Sequence, residues 1–205
     1  MKGSRPLKRN EVEGLRGMFV GVMGCRNLAF FLLGANTGFR VSELLAVRIC
    51  DILNDDGSIV DVLTVSKKNM KGNKSSRSVR LNAHAKKAIA PWLSMLSRLG
   101  HVQSSDPVFM SIRGDGAIGR IQAWRVLNKA YKLAGLTGKL GTHAMRKTFA
   151  NNVYDHLLNR SAAGEPIDAF RVTSKALGHA SIDSTDKYLS FRTEEIDSTI
   201  DAVGV

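Results

Sequence analysis

The sequence predicts a mainly α fold with one small antiparallel β-sheet, an α+β arrangement in a single domain over residues 1–205. Three observations predict it. Most of the chain carries apolar residues at helical spacing, bounded by capping and stop signals. One β-branched run, Ile59 to Ser66, and one alternating run, Ser76 to Leu81, flank a basic turn and read as a hairpin. A hydrophobic fraction of 43% with only 4 prolines suits a folded core.

Taken in order, Asn10 with Glu13 reads as an N-cap and capping-box partner, opening a first helix to about Val20 with Leu15, Met18 and Phe19 on one face. A second helix, roughly Gly24 to Asn36, is apolar enough to be buried. Thr37-Gly38-Phe39-Arg40 interrupts it, and Ser42 with Glu43 starts a short helix through Arg48. Arg40 therefore falls on a tight turn between two helices, where a lone arginine is ordinarily a surface or capping residue. Asn54-Asp55-Asp56-Gly57 is a turn signal ahead of the hairpin. The turn Lys67 to Lys74 is a plain solvated loop or a tip that aims a lysine into a groove.

Ala83 to about Leu99 is helical, with Pro91 bending or splitting it. Gly100 to Gly119 reads as loop with a short strand at Val108 to Ser111. Arg120 to Ala134 is amphipathic, with Trp124, Leu127 and Tyr131 together. His143 opens a helix to about Leu158 and shares its first-turn face with Arg146. Ser161 to Glu165 is a loop, and Ile167 to Leu177 a helix stopped by Gly178. Ile182 to Leu189 reads as a further short helix with Ser181 as N-cap. Past Thr193, Ile196, Ile200 and Val203 form an apolar stripe with Glu194, Glu195, Asp197 and Asp201 on the remainder.

Thirty Lys and Arg against eighteen Asp and Glu give a formal charge of +12, which favours a polyanionic partner, nucleic acid before membrane. No apolar run is long enough to span a bilayer; Leu28 to Ala35 is the longest. Cys25 and Cys50 stand in apolar surroundings at no metal or redox spacing and read as reduced core thiols of a cytoplasmic protein. The histidines show no zinc-type spacing and no glycine loop cradles a phosphate, so no metal and no cofactor is expected.

The segment Leu177-Gly178-His179 carries a tyrosine, Tyr188, nine residues after its histidine. A tyrosine hydroxyl, with a pKa of about 10, needs a base and a cation-held electrophile to attack at neutral pH. Thr37-Gly38-Phe39-Arg40-Val41-Ser42-Glu43-Leu44, His143-Ala144-Met145-Arg146 and Leu177-Gly178-His179 with Tyr188 resemble, in order and spacing, the motif boxes of the tyrosine recombinase (phage integrase) family. The resemblance covers nearly the whole chain as a catalytic domain.

It implies that Arg40 and Arg146 grip a scissile DNA phosphate, that Tyr188 attacks it, that His143 is the tyrosine's acid/base partner, and that His179 is a further phosphate ligand. A hairpin lysine protonates the leaving 5′ oxygen; Lys71 fits that position, with Lys68 and Lys74 as competitors. The implied partner is double-stranded DNA, with self-assembly on it as a tetramer in synapsis and an accessory DNA-bending protein as a further candidate. No membrane is implied. The acidic stripe after Thr193 resembles a segment lent to a neighbouring subunit. An N-terminal clamping domain is expected to be absent, as in a catalytic fragment or a compact single-domain member. Asn159 to Pro166 reads as a loop insertion. A strand-swivelling topoisomerase and a DNA-binding regulator with a degenerate site are the competing expectations, and Tyr131 and Tyr154 read as packing residues.

Overall fold

The computed structural model describes residues 3–66, 76–112 and 116–178, together with Thr185, Leu189 and Val203. Its architecture is helices around one two-stranded antiparallel sheet, as the sequence predicts. The described helices are α1 (Arg9–Leu15, followed by a 3₁₀ turn Arg16–Met18), α2 (Gly24–Thr37), α3 (Val41–Ala46), α4 (Ile49–Ile52), α5 (Ala83–Arg98), α6 (Arg120–Leu133), α7 (His143–Ala162) and α8 (Ala169–Leu177). The strands are β1 (Val62–Val65) and β2 (Arg77–Arg80), paired with Val62 opposite Arg80 and Val65 opposite Arg77.

Helix α2 is the centre of the molecule. Phe30, Phe31 and Leu33 are fully buried, and the helix packs on both α5 and α7. The Phe30 ring meets Phe109 edge-on at 5.1 Å, a favoured aromatic geometry. Trp92 of α5 is buried without cost to its indole, whose Nε1 donates to the Val108 carbonyl at 2.7 Å. Leu63 and Val65 turn the inner face of the sheet onto this core. A second cluster, Ala150, Leu177 and Leu189 with Phe149, Tyr154 and Phe170 against it, clamps the end of α8 to α7. Among the described residues no helix is long and apolar enough to cross a membrane.

Several boundaries depart from expectation, each for a physical reason. The first helix starts after Lys8, whose N–H donates to Glu11 Oε2 at 2.8 Å, so Glu11 rather than Glu13 closes the cap. Glu11 is also gripped by Arg5, at 2.6 and 2.8 Å. Pro91 neither splits nor ends α5, because it lies on the exposed face, where water can take the carbonyl left without a donor. Helix α7 runs on to Ala162, and Arg160 closes the following turn by pairing with Glu165. The expected strand at Val108 to Ser111 is reduced to bridges, with Val108 N–H on the Val47 carbonyl and Ile118 N–H on the Phe109 carbonyl. Trp124 is half exposed while Ala123, Leu127, Ala130 and Tyr131 form the buried face of α6. Cys50 is exposed rather than a core thiol.

Two glycines set the ends of helices that matter below. Gly38 caps α2 at φ 60° and Gly178 caps α8 at φ 64°, both left-handed. A Cβ at Gly38 would also overlap the Phe149 ring, 2.9 Å from its Cγ. Gly38→Ala combines a left-handed penalty with overpacking, so it is expected to destabilise by about 3 kcal/mol. Chemical denaturation monitored by circular dichroism checks this; an unchanged midpoint would mean that the turn relaxes freely.

Candidate active site

Helix termini leave carbonyls without intrahelical partners, and their partial negative charge favours cations. Here the C-terminal ends of α2 and α8 converge, and two buried guanidiniums take up their carbonyls. Arg146, in the first turn of α7 and 1% exposed, donates to the Gly38 carbonyl through Nη1 and to the Leu177 carbonyl through Nη2 at 2.8 Å. Arg77, at the start of β2, donates to Gly38 O at 3.1 Å, Thr37 O at 2.9 Å and Ala176 O at 2.8 Å. Its guanidinium stacks on the Phe39 ring, 4.6 Å from the centroid.

Arg40 stands as the N-cap of α3 in extended conformation, with its side chain 39% exposed. Glu43 holds it there. That carboxylate, 1% exposed, accepts from the Arg40 N–H at 2.6 Å and from Arg40 Nη1 at 2.9 Å. The same group accepts from Arg77 Nη1 at 3.4 Å. Three guanidiniums thus surround one turn, and two of them, Arg40 and Arg77, pair with Glu43. Burial first, then the charge of Arg146, lowers the Arg77 pKa to about 10, with Glu43 opposing the shift, so Arg77 stays protonated at neutral pH. The site carries a fixed excess of positive charge and suits an anion.

His143 opens α7 with its side chain exposed. Desolvation by the surrounding protein, and then the charges of Arg146, Arg40, Arg120 and Lys147, hold its pKa below the usual histidine value. The free protein therefore presents a neutral imidazole at pH 7, able to accept a proton. Between the unfolded value of about 6.5 and the depressed folded one, the unfolded chain binds more protons, so stability falls as pH drops through that window. NMR titration of the His143 ring is expected to show a midpoint below that of a free histidine; one above it would remove the argument for a neutral base. Beside His143 lies a groove of about 440 Å³ lined by Val41, Arg120, Ile121, Trp124 and Thr142.

Of the six residues singled out in the sequence, the structure brings Arg40, His143 and Arg146 to one place. Lys71, His179 and Tyr188, with the competing Lys68 and Lys74, lie outside the described residues. Thr185 and Leu189 are helical, buried and four residues apart, as expected of the helix read over Ile182 to Leu189. Tyr131 is 2% exposed, and burial raises its pKa far above the usual range, which suits a packing residue. Tyr154 packs beside Leu177 and Leu189. The terminal stripe, apart from Val203, lies outside the described residues.

The sequence reading used Arg77 only as a landmark for counting the hairpin. Its signal was present: Arg77 and Val79 alternate onto one face of β2, the same face as their buried cross-strand partners Val65 and Leu63. An arginine in the inward register of a half-buried strand requires buried acceptors.

Residues 7–195 match the Phage integrase family. The chain belongs to that family. Curated proteins similar to it include tyrosine recombinase XerC of Myxococcus xanthus, 30% identical over 185 residues, covering 88% of this chain and 55% of that protein. Tyrosine recombinase XerD of Mycobacterium leprae is 32% identical over 173 residues, covering 82% of this chain and 49% of that one. Among solved structures, XerA recombinase shares the fold with a TM-score of 0.69 and 26% identity, over 92% of this chain and 59% of that chain. The XerH site-specific recombinase, bound to palindromic difH substrate in a post-cleavage complex, has a TM-score of 0.67 at 22% identity, over 97% of this chain and 53% of that one. The chain spans about half the length of the curated relatives it matches.

Proposed function

We infer that this chain is the catalytic domain of a site-specific DNA recombinase that cleaves and rejoins strands through a 3′-phosphotyrosyl intermediate. The observation that carries it is the convergence of Arg40, Arg77 and Arg146 on one turn, with Glu43 bonded to the first two, beside a solvent-facing His143. The likeness to tyrosine recombinases at 30% identity and above supports the same reading.

In this reading a phosphodiester sits at Arg40, whose exposed fork bonds its oxygens, while Arg146 adds charge that two carbonyls hold rigidly. Preorganised donors of this kind meet the charge that builds during in-line attack, and each is worth about 10²–10³ in rate. The Tyr188 oxygen attacks phosphorus, its proton passes to His143, and the phosphorus–5′ oxygen bond breaks. Lys71 gives the leaving oxygen its proton, and His179 adds a further bond to the phosphate. One phosphoester replaces another, so a second strand's 5′-hydroxyl can reverse the step. Neither ATP nor a metal ion is required by that balance. A synaptic tetramer, with the segment after Thr193 joining neighbours and an accessory DNA-bending protein shaping the site, completes the proposal.

Duplex binding should weaken steeply with salt, because a +12 chain displaces condensed counterions. Band shifts across a salt series check this, and a flat response would reject phosphate-driven binding. Strand exchange between two nicked sites is expected; relaxation of supercoils by a monomer without a paired site would favour the topoisomerase reading instead.

A further inference from the structure

Arg77 takes no part in the chemistry just set out, yet its guanidinium joins segments 34 to 99 residues away in sequence. We propose that Arg77 is a positioning residue for strand cleavage, holding the Arg40 turn, Glu43 and the end of α8 in one frame and absorbing the Glu43 charge so that Arg40 keeps its own for the phosphate. The proposal rests on the phosphate-transfer reading of this site.

Geometry supports the framing role. Thr37 and Gly38, whose carbonyls Arg77 binds, immediately precede the turn bearing Arg40. Ala176, its third carbonyl, stands three residues before His179. Arg77 itself begins β2, six residues after Lys71 in the sequence. Three segments assigned to the chemistry therefore leave from one guanidinium. The fit is close: a Cβ at Gly178 would stand 3.0 Å from Arg77 Cδ. Only a planar fork reaches acceptors in several directions at once, which a lysine ammonium on a single stem does not reproduce.

Electrostatics support the second role. Glu43 is buried and bonded to both Arg40 and Arg77. With Arg77 removed, Arg40 would be the remaining partner of that carboxylate among the described residues, and the pair would present little net charge to a phosphate. Arg77, with its side chain 9% exposed, is itself poorly placed to touch DNA. Its loss should therefore act on the rate of cleavage rather than on duplex affinity.

The test is single-turnover covalent attachment to a nicked duplex, with affinity measured by anisotropy and folding by circular dichroism, for Arg77→Gln, Arg77→Lys, Glu43→Gln and Arg77→Gln combined with Glu43→Gln. Failure of the wild-type chain to attach would reject the strand-transfer reading and not the role of Arg77. Given wild-type attachment, Arg77→Gln is expected to slow it about a hundredfold, the scale of a small misplacement, with duplex affinity nearly unchanged. Arg77→Lys should recover part of that loss. The double variant should be faster than Arg77→Gln alone, because the uncharged amide at position 43 no longer draws on Arg40. Wild-type rates in folded Arg77→Gln would overturn the proposal, and so would a double variant no faster than Arg77→Gln. Should Arg77→Gln fail to fold, Arg77→Lys decides: slowed attachment at unchanged affinity supports positioning, and a wild-type rate contradicts it.

Discussion

Arg146→Ala is expected to lower covalent strand cleavage by about a thousandfold, since it removes a rigidly held positive charge beside the proposed phosphate site. It should also cost stability. The Arg146 side chain is buried, and the Gly38 and Leu177 carbonyls it satisfies would lose a partner at the joined ends of α2 and α8. The Gly38 carbonyl keeps Arg77 as a partner, and removing the partner of a buried acceptor costs about 1–3 kcal/mol, so a loss of about 2 kcal/mol is expected. Arg146→Lys separates the two effects, because it keeps a cation without the fork. Single-turnover cleavage and thermal unfolding, measured on both variants, check this. Cleavage at the wild-type rate by folded Arg146→Ala would remove Arg146 from the site.

Tyr188→Phe is expected to abolish covalent attachment altogether while leaving duplex affinity nearly unchanged. The substitution deletes one oxygen and no positive charge, and the salt-dependent part of DNA binding comes from lysines and arginines. No other group here is assigned the attack: Tyr131 is sealed in the core of α6, and Tyr154 lies against the α8 cluster. Gel shifts and denaturing gels on one set of reactions separate the two outcomes. A shift lost together with the adduct would assign Tyr188 to binding rather than to chemistry.

Much of this was legible in the chain. The apolar run of α2 gave its burial, and the interruption at Gly38 gave the turn that presents Arg40, because a left-handed cap is written locally by glycine. Gly178 marked the end of α8 in the same way. The three-residue spacing of His143 and Arg146 placed both in the first turn of one helix. What escaped was set by tertiary partners. Helix α4 is four residues long, too short for periodicity to show. Glu11 closes the cap of α1 with help from Arg5, whose own Nε is fixed by the distant Thr137 carbonyl. Trp124 looked like a core aromatic, but the small Ala123 and Ala130 occupy the inward face instead. The burial of Arg77 depends on acceptors supplied by helix ends far away in sequence, so its strand alone could suggest its direction but not its partners.

The most direct test of the central claim is to trap the protein on a nicked suicide duplex, digest it, and map the DNA-linked peptide by mass spectrometry. A tyrosine bonded to a 3′-phosphate, in the peptide containing Tyr188, is the expected result. A DNA-linked peptide containing Tyr131 or Tyr154, a 5′ linkage, or no covalent species from folded, DNA-bound protein would contradict it.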